Sequence, residues 1–235
     1  MKFQISELSV IIPTLNEEDI IGQTISALYC QNGEKPKEII VVDGGSKDDT
    51  INRALNLGAK ILQVQCGRGN QLAEGAEFAT GTWLLFLHAD TLLQPGWQKA
   101  AQVFINKTSL RKQKVAAFRY KLDDNSMSAR LLETIVAVRS KLFGLPWGDQ
   151  GLLISSSYYR SLGGFKRFPV MEDVEIILRI GISRISILNV SAITSARKYK
   201  NSGYFLRSSK NCFYLVCFFC GVPIKWINKH YNQER

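Results

Sequence analysis

A chain of 235 residues, 46% hydrophobic and with a net charge of +10, can bury one α/β core plus an appendage; that composition excludes disorder on the scale of a domain. Its five cysteines (Cys30, Cys66, Cys212, Cys217 and Cys220) are odd in number and lie outside any secretory pattern, so a reducing cytoplasm is expected and a disulfide scaffold is excluded. Beyond Val190 there are eight basic residues and a single acid, Glu234, a basic pole suited to an anionic partner.

In chain order, residues 8–12 read as a short buried strand that stops at Pro13. Asn16 suits a helix N-cap, with Glu17, Glu18 and Asp19 in the first turn and Ile20, Ile21, Ile25 and Leu28 on the apolar face. Residues 38–42 form a second strand, and Ser46 with Asp49 resembles a capping arrangement for a helix to about Leu57. A third strand covers 60–65. A helix follows from about Gly69 to Ala79, and a fourth strand covers 83–87. This alternation predicts a parallel sheet with right-handed crossovers. The second half reads as a helix over 95–105, a strand over 115–122, and an amphipathic helix over 128–142 with Leu131, Ile135, Val138 and Leu142 along one side. After these come a strand over 152–155, a helix opened by Met171-Glu172-Asp173, and a last strand over 185–190.

The chemistry-bearing residues gather where apolar runs stop. VVDGGSKDD (41–49) and WLLFLHAD (83–90) each end a buried strand at a carboxylate, Asp43 and Asp90. Open α/β sheets bind ligands at the carboxyl ends of their strands, so both acids are expected on one rim. Asp43 suits a ribose or base, and the alternative reading is a helix cap. Asp90 suits a divalent cation such as Mg²⁺ or Mn²⁺, with His88 as a second candidate ligand. Arg68 lies in a glycine-flanked helix opening that favours phosphate. Glu172 and Asp173 open a helix, where the macrodipole favours acids with or without catalysis. Asp149 lies in a glycine-rich turn after Trp147, whose ring suits a platform for a sugar or an apolar acceptor.

Taken together, SVIIPTLNEE (9–18), VVDGGSKDD, GRGNQLAEGAEFATGTWLLFLHAD (67–90), WGDQG (147–151) and MED (171–173) resemble glycosyltransferase family 2. The likeness is greatest to a small bacterial single-domain subgroup with His-Ala-Asp in place of Asp-x-Asp. It implies the α/β GT-A fold, a Rossmann-like, mostly parallel sheet flanked by helices, over residues 1–200, with a basic and aromatic helical tail over 201–235. It also implies an inverting transferase that takes a sugar from a nucleotide-diphosphate donor, with UDP favoured, to an acceptor hydroxyl or carboxyl. By the same resemblance Pro13, Glu17 and Asp43 line the nucleoside pocket, and Arg68 and Arg197 face the diphosphate. Asp90 and His88 hold the metal, Trp147 and Asp149 meet the acceptor, and Asp173, paired with Glu172, is the base. His88 in place of an acid removes one hard oxygen ligand and puts metal dependence in question.

The run NCFYLVCFFCGVPI (211–224) is apolar and uncharged, yet as a helix it spans only ~21 Å against a hydrocarbon core of about 30 Å. Its basic and aromatic flanks suit a helix lying in the interface of an anionic leaflet, which implies peripheral association with the inner face of the membrane and a lipid-linked or otherwise apolar acceptor; the family resemblance adds carotenoid-type lipids as one such acceptor class. Packing on the core or at a dimer contact is the alternative. Cys217 and Cys220 read as apolar packing rather than half a zinc site. A nucleotidyltransferase is disfavoured because PTLNEE (13–18) is acidic where a phosphate loop would be basic. An oxidoreductase is disfavoured because no GxGxxG follows Ile12. A non-catalytic nucleotide-sugar or lipid binder is the remaining alternative, and no nucleic-acid module is present.

Overall fold

Four apolar runs in the first half form four parallel strands: β1 (Leu8–Thr14), β2 (Glu38–Asp43), β3 (Lys60–Gln63) and β4 (Trp83–Phe86). Between them run α1 (Glu18–Leu28), α2 (Thr50–Asn56) and α3 (Arg68–Phe78). The chain continues through β5 (Thr91–Leu93), α4 (Trp97–Lys107), β6 (Val115–Leu122), α5 (Met127–Phe143), β7 (Leu152–Ser155), α6 (Ser156–Ser161), α7 (Glu172–Ile180) and β8 (Ile185–Thr194). Three helices close it: α8 (Arg197–Ser202), α9 (Tyr204–Phe219) and α10 (Ile224–Asn232). This computed structural model describes residues 4–29, 35–108, 113–146 and 148–232.

The eight strands form one sheet in the order β3-β2-β1-β4-β7-β6-β8-β5. β7 runs antiparallel to both β4 and β6, and β5 runs antiparallel to β8. The central strands are buried on both faces, which is why they read as unbroken apolar runs. One core layer lies under α1 and α4 and includes Ile21, Ile25, Leu28, Trp97 and Ala101. The opposite layer lies under α3 and α7 and includes Leu72, Ala76, Ile176 and Ile177. Each fully buried aliphatic side chain contributes ~1.5–3 kcal/mol relative to exposure.

Helix α3 matters most for the site because Arg68 opens it. It lies close on the sheet: a Cβ at Gly75 would sit 2.5 Å from Ile11 Cγ2 and 2.7 Å from Val42 Cγ2. Its Gln71 side chain donates to the carbonyls of Thr14 and Val42, both at 2.8 Å. That pair of bonds fixes the start of α3 against the carboxyl ends of β1 and β2.

The structure departs from the sequence reading in four places. Asn16 is not an N-cap; it adopts a left-handed conformation (φ 54°), and its side chain accepts from Lys47 N–H, tying the β1 loop to the β2 loop. Ser46 does not cap α2; its hydroxyl turns back to donate to Asp43. The last strand runs on to Thr194, its end paired on one side with β6 and on the other with residues 91–93, to which the sequence reading gave no element. On α5, Leu131, Ile135, Val138 and Leu142 all face outward, each at least half exposed, while Ala129, Leu132 and Val136 pack inward. The helix carries two apolar stripes, and the smaller residues meet Tyr120, Leu122 and Tyr199.

Candidate active site

The carboxyl ends of β1 and β4 and the opening of α3 border a cleft of about 830 Å³, whose other wall is α8–α10. Pro13, Glu17, Arg68, His88, Asp90 and Arg197 line it. Asp43 lies on the same rim, paired in register with Thr14, but is fully buried. Its Oδ2 accepts from the backbone N–H of Gly45 and Ser46 at 2.8 and 2.9 Å, and its Oδ1 accepts from the hydroxyls of Ser46 and Thr14. In this arrangement Asp43 builds the β2 loop and does not face the open cleft.

The loop after β4 is held from both sides. Thr24 donates to the carbonyl of Ala89 at 2.5 Å, and Ser195 N–H donates to that of Asp90 at 3.1 Å. His88 and Asp90 are thereby brought beside Asp149, and one donor atom from each lies within 4.8 Å of the others. His88 Nδ1 and Asp149 Oδ1 are 2.6 Å apart. Burial alone would raise the Asp149 carboxyl, but the hydrogen bond and charge of His88 outweigh it and bring it down to about 2. Asp149, expected at the acceptor, thus lies beside the two candidate metal ligands. Its carboxylate is the second one in this cluster, beside that of Asp90. Two carboxylates and an imidazole make a donor set that suits Mn²⁺ and accommodates Mg²⁺ less well, because Mg²⁺ favours oxygen ligands. Trp147 lies outside the described residues.

Below the cleft is a smaller, apolar recess lined by Leu72, Phe86, Pro146, Glu172 and Asp173, and His88 borders both spaces. Asp173 Oδ2 accepts from Gly148 N–H at 2.9 Å. Gly148 is tightly hemmed in: a Cβ there would sit 2.9 Å from His88 Nε2 and 3.1 Å from Asp173 Oδ2, so a larger residue would have to displace those side chains. His88 and Asp173 therefore flank the same glycine. Glu172 is completely buried, and among the described residues neither of its oxygens accepts a hydrogen bond. Its ion-pair partner is Arg68, at 3.5 Å. Burial, only partly offset by Arg68, pushes the Glu172 carboxyl up to about 7. Burial works against the Arg68 charge in turn, yet Glu172 and more distant groups hold its pKa above the usual value. The residue before this pair, Met171, has φ 61°, a strained conformation of the kind that collects at functional sites.

On the far wall Arg197 reaches Glu17 at 3.8 Å and Asp19 at 3.7 Å, strapping α8 to the first turn of α1. Lys198 stands 3.5 Å from Asp90, a contact the sequence reading missed. Only the basic run RKYK (197–200) pointed to it. The CxxC does not pack as expected: Cys217 is half-buried, Cys220 exposed, and both are free. Among the described residues, no helix is long and apolar enough to cross a membrane.

The sequence model for glycosyl transferase family 2 matches residues 9–143. A PGL/p-HBAD biosynthesis glycosyltransferase of Mycobacterium bovis (strain BCG / Pasteur 1173P2) is 38% identical over 93 residues, 36% of each chain. Glucosyl-3-phosphoglycerate synthase of Mycolicibacterium smegmatis is 32% identical over 94 residues, 36% of this chain and 31% of that protein. The chain thus spans about a third of the length of the curated relatives it matches. Among solved structures, glucosyl-3-phosphoglycerate synthase from Mycobacterium tuberculosis, in complex with Mn²⁺ and UDP-glucose, superposes with a TM-score of 0.62 at 20% identity, covering 92% of this chain and 79% of that one. S. aureus TarS 1-349 gives 0.61 at 20% identity, covering 81% and 60%. These neighbours share the GT-A architecture: a mixed α/β sheet flanked by helices. With the family model running over more than half its length, the chain belongs to glycosyl transferase family 2.

Proposed function

We propose that the protein transfers a sugar, with inversion, from a UDP-sugar to an acceptor carried on a lipid. The observation that carries this reading is the convergence of His88, Asp90 and Asp149 at the cleft with Asp173 just behind them. The relatives that are PGL/p-HBAD biosynthesis glycosyltransferases support a sugar transfer, and a structural neighbour holding Mn²⁺ and UDP-glucose supports the donor class. We assign the catalytic unit to residues 1–200 and the tail to 201–235.

Pro13 and Glu17 line the nucleoside end, with the buried Asp43 holding that wall from behind. Arg68 and Arg197 face the diphosphate. Asp90, His88 and Asp149 would hold the divalent ion, whose charge would favour departure of the nucleoside diphosphate. Asp173, oriented by Gly148 N–H, accepts the proton of the attacking hydroxyl. A single displacement at the anomeric carbon inverts its configuration.

The test is a binding panel of nucleoside diphosphates and their sugars with Mn²⁺, Mg²⁺ or chelator. UDP is expected to stabilise the fold most, and more with Mn²⁺ than with Mg²⁺. Asp149→Asn is expected to weaken Mn²⁺ binding by ~10–100-fold, read by calorimetry without any donor present. Equal response to all bases, with no metal effect, would reject the donor assignment.

A lipid-borne acceptor requires access to a membrane surface. The outer face of α9 offers one: Phe205 is 87% exposed, and Phe213, Val216 and Phe219 are each more than half exposed. Lys225 and Lys229 follow on α10. Flotation with phosphatidylglycerol vesicles is expected to carry the wild type and to leave Phe213→Glu/Val216→Glu behind. Equal behaviour of the two proteins would remove the membrane from this reading.

A further inference from the structure

Helix α9 has two faces, and the inner one is unexplained by the donor. Arg207, Lys210, Asn211 and Tyr214 recur at steps of three, one and three, so they form one stripe, and all four line the cleft. Asn228 and Tyr231 of α10 extend that wall, with the Tyr231 ring edge-on to Tyr214 at 5.4 Å. No aspartate or glutamate occurs between Arg197 and Asn232, so the whole wall built by α8–α10 is free of acids. The carboxylates that line the cleft, Glu17 and Asp90, belong to the opposite wall.

The cations nearer the strand ends already face carboxylates. Arg68 meets Glu172, Arg197 meets Glu17 and Asp19, and Lys198 meets Asp90. Arg207 instead lies over the face of Tyr199, 5.7 Å from its centroid. A cleft of about 830 Å³ is also near the upper end of the ~300–1,000 Å³ typical of a ligand site, which leaves room for a second molecule beside the donor.

The geometry points to an anion subsite on α9, centred on Arg207 and Lys210, that holds a phosphate group of the acceptor. Tyr214 and Tyr231 supply flat apolar surface next to it, so the acceptor carries its phosphate beside an apolar or ring-shaped part. The outer face of the same helix is uncharged from Phe205 through Ser209, Cys212, Phe213, Val216 and Phe219. A phosphorylated amphiphile could thus reach the inner stripe from an interface touching the outer one. The subsite deepens the transferase reading by naming the acceptor's chemistry, but its anion binding can be measured without the donor.

The experiment measures binding of n-decyl phosphate (below its micelle concentration), inorganic phosphate and n-decyl maltoside to the full chain, with and without UDP and Mn²⁺. The variants are Arg207→Gln/Lys210→Gln and Arg207→Lys, each checked for an unchanged melting temperature. Decyl phosphate is expected to bind at least tenfold tighter than decyl maltoside. The double glutamine variant should lose at least tenfold of that affinity, Arg207→Lys should retain most of it, and UDP affinity should stay within twofold. Inorganic phosphate binding as tightly as decyl phosphate would keep the subsite and make the acceptor a soluble phosphate ester. Two results would overturn the proposal: equal binding of decyl phosphate and decyl maltoside, or a parallel loss of UDP affinity in the double variant, which would give these cations to the donor. Failure of the wild type to bind UDP, with decyl phosphate binding intact and sensitive to the double variant, would reject the donor reading and keep the subsite.

Discussion

Asp173→Asn is expected to slow sugar transfer, and the slower hydrolysis of donor by water, by ~10²–10⁴-fold while UDP affinity barely changes. The asymmetry follows from where the carboxylate sits. Asp173 lines the inner recess and not the open cleft, so the donor's nucleotide has no need of it. Gly148 N–H holds its Oδ2 and Val174 N–H its Oδ1, so Asn keeps one of those two bonds while losing the other and the capacity to accept a proton. The loss of one such bond should leave the fold and the donor site in place. The check is single-turnover release of sugar from a UDP-sugar alongside calorimetric titration with UDP. Ordinary turnover in the variant would remove Asp173 from the role of base. A large loss of UDP affinity would instead make it part of the donor site.

The first half of the fold was legible because its buried parallel strands have no polar face to blur them. Residues 38–42 and 83–87 read as continuous apolar runs, and each ends within a residue of the observed strand. What the sequence hid was decided by partners far along the chain. Residues 91–93 form a strand only because the end of β8 lies beside them. Asn16 looked like a cap because local sequence cannot show that Lys47 N–H, thirty-one residues on, would take its side chain. The two apolar stripes of α5 were indistinguishable by period alone, and tertiary packing chose the one built from smaller residues.

The same limit applies at the site. His88 and Asp90 were readable as a strand-end motif, but their meeting with Asp149 needs the antiparallel β7 beside β4. Asp43 was readable as a rim residue, while its burial depends on four donors that fold back from Thr14, Gly45 and Ser46. Lys198 was visible only as one charge in a basic run. Its place opposite Asp90 depends on how β8 delivers α8 to the rim.

Glu172→Gln is expected to stabilise the metal-free protein by about 3 kcal/mol at pH 8 and to change little near pH 4.5. The wild-type carboxyl is raised from 4.5 to about 7 in the folded state, because burial outweighs the attraction of Arg68. Below pH 4.5 the group is neutral whether the chain is folded or not, so it contributes no pH dependence. Between pH 4.5 and 7 the unfolded chain releases the proton while the folded one keeps it, so stability falls as pH rises. Above about pH 7 the folded protein must bury the charge, and the full penalty is present. Glutamine matches the shape of the protonated acid and cannot ionise, so it removes the slope without altering the packing around Arg68. The measurement is urea unfolding at a series of pH values for both proteins, in chelator. Parallel stability curves from pH 4.5 to 8 would mean that Glu172 titrates normally. Its burial would then be compensated by Arg68 alone, and the carboxylate would stand ionised beside Asp173 throughout the working range.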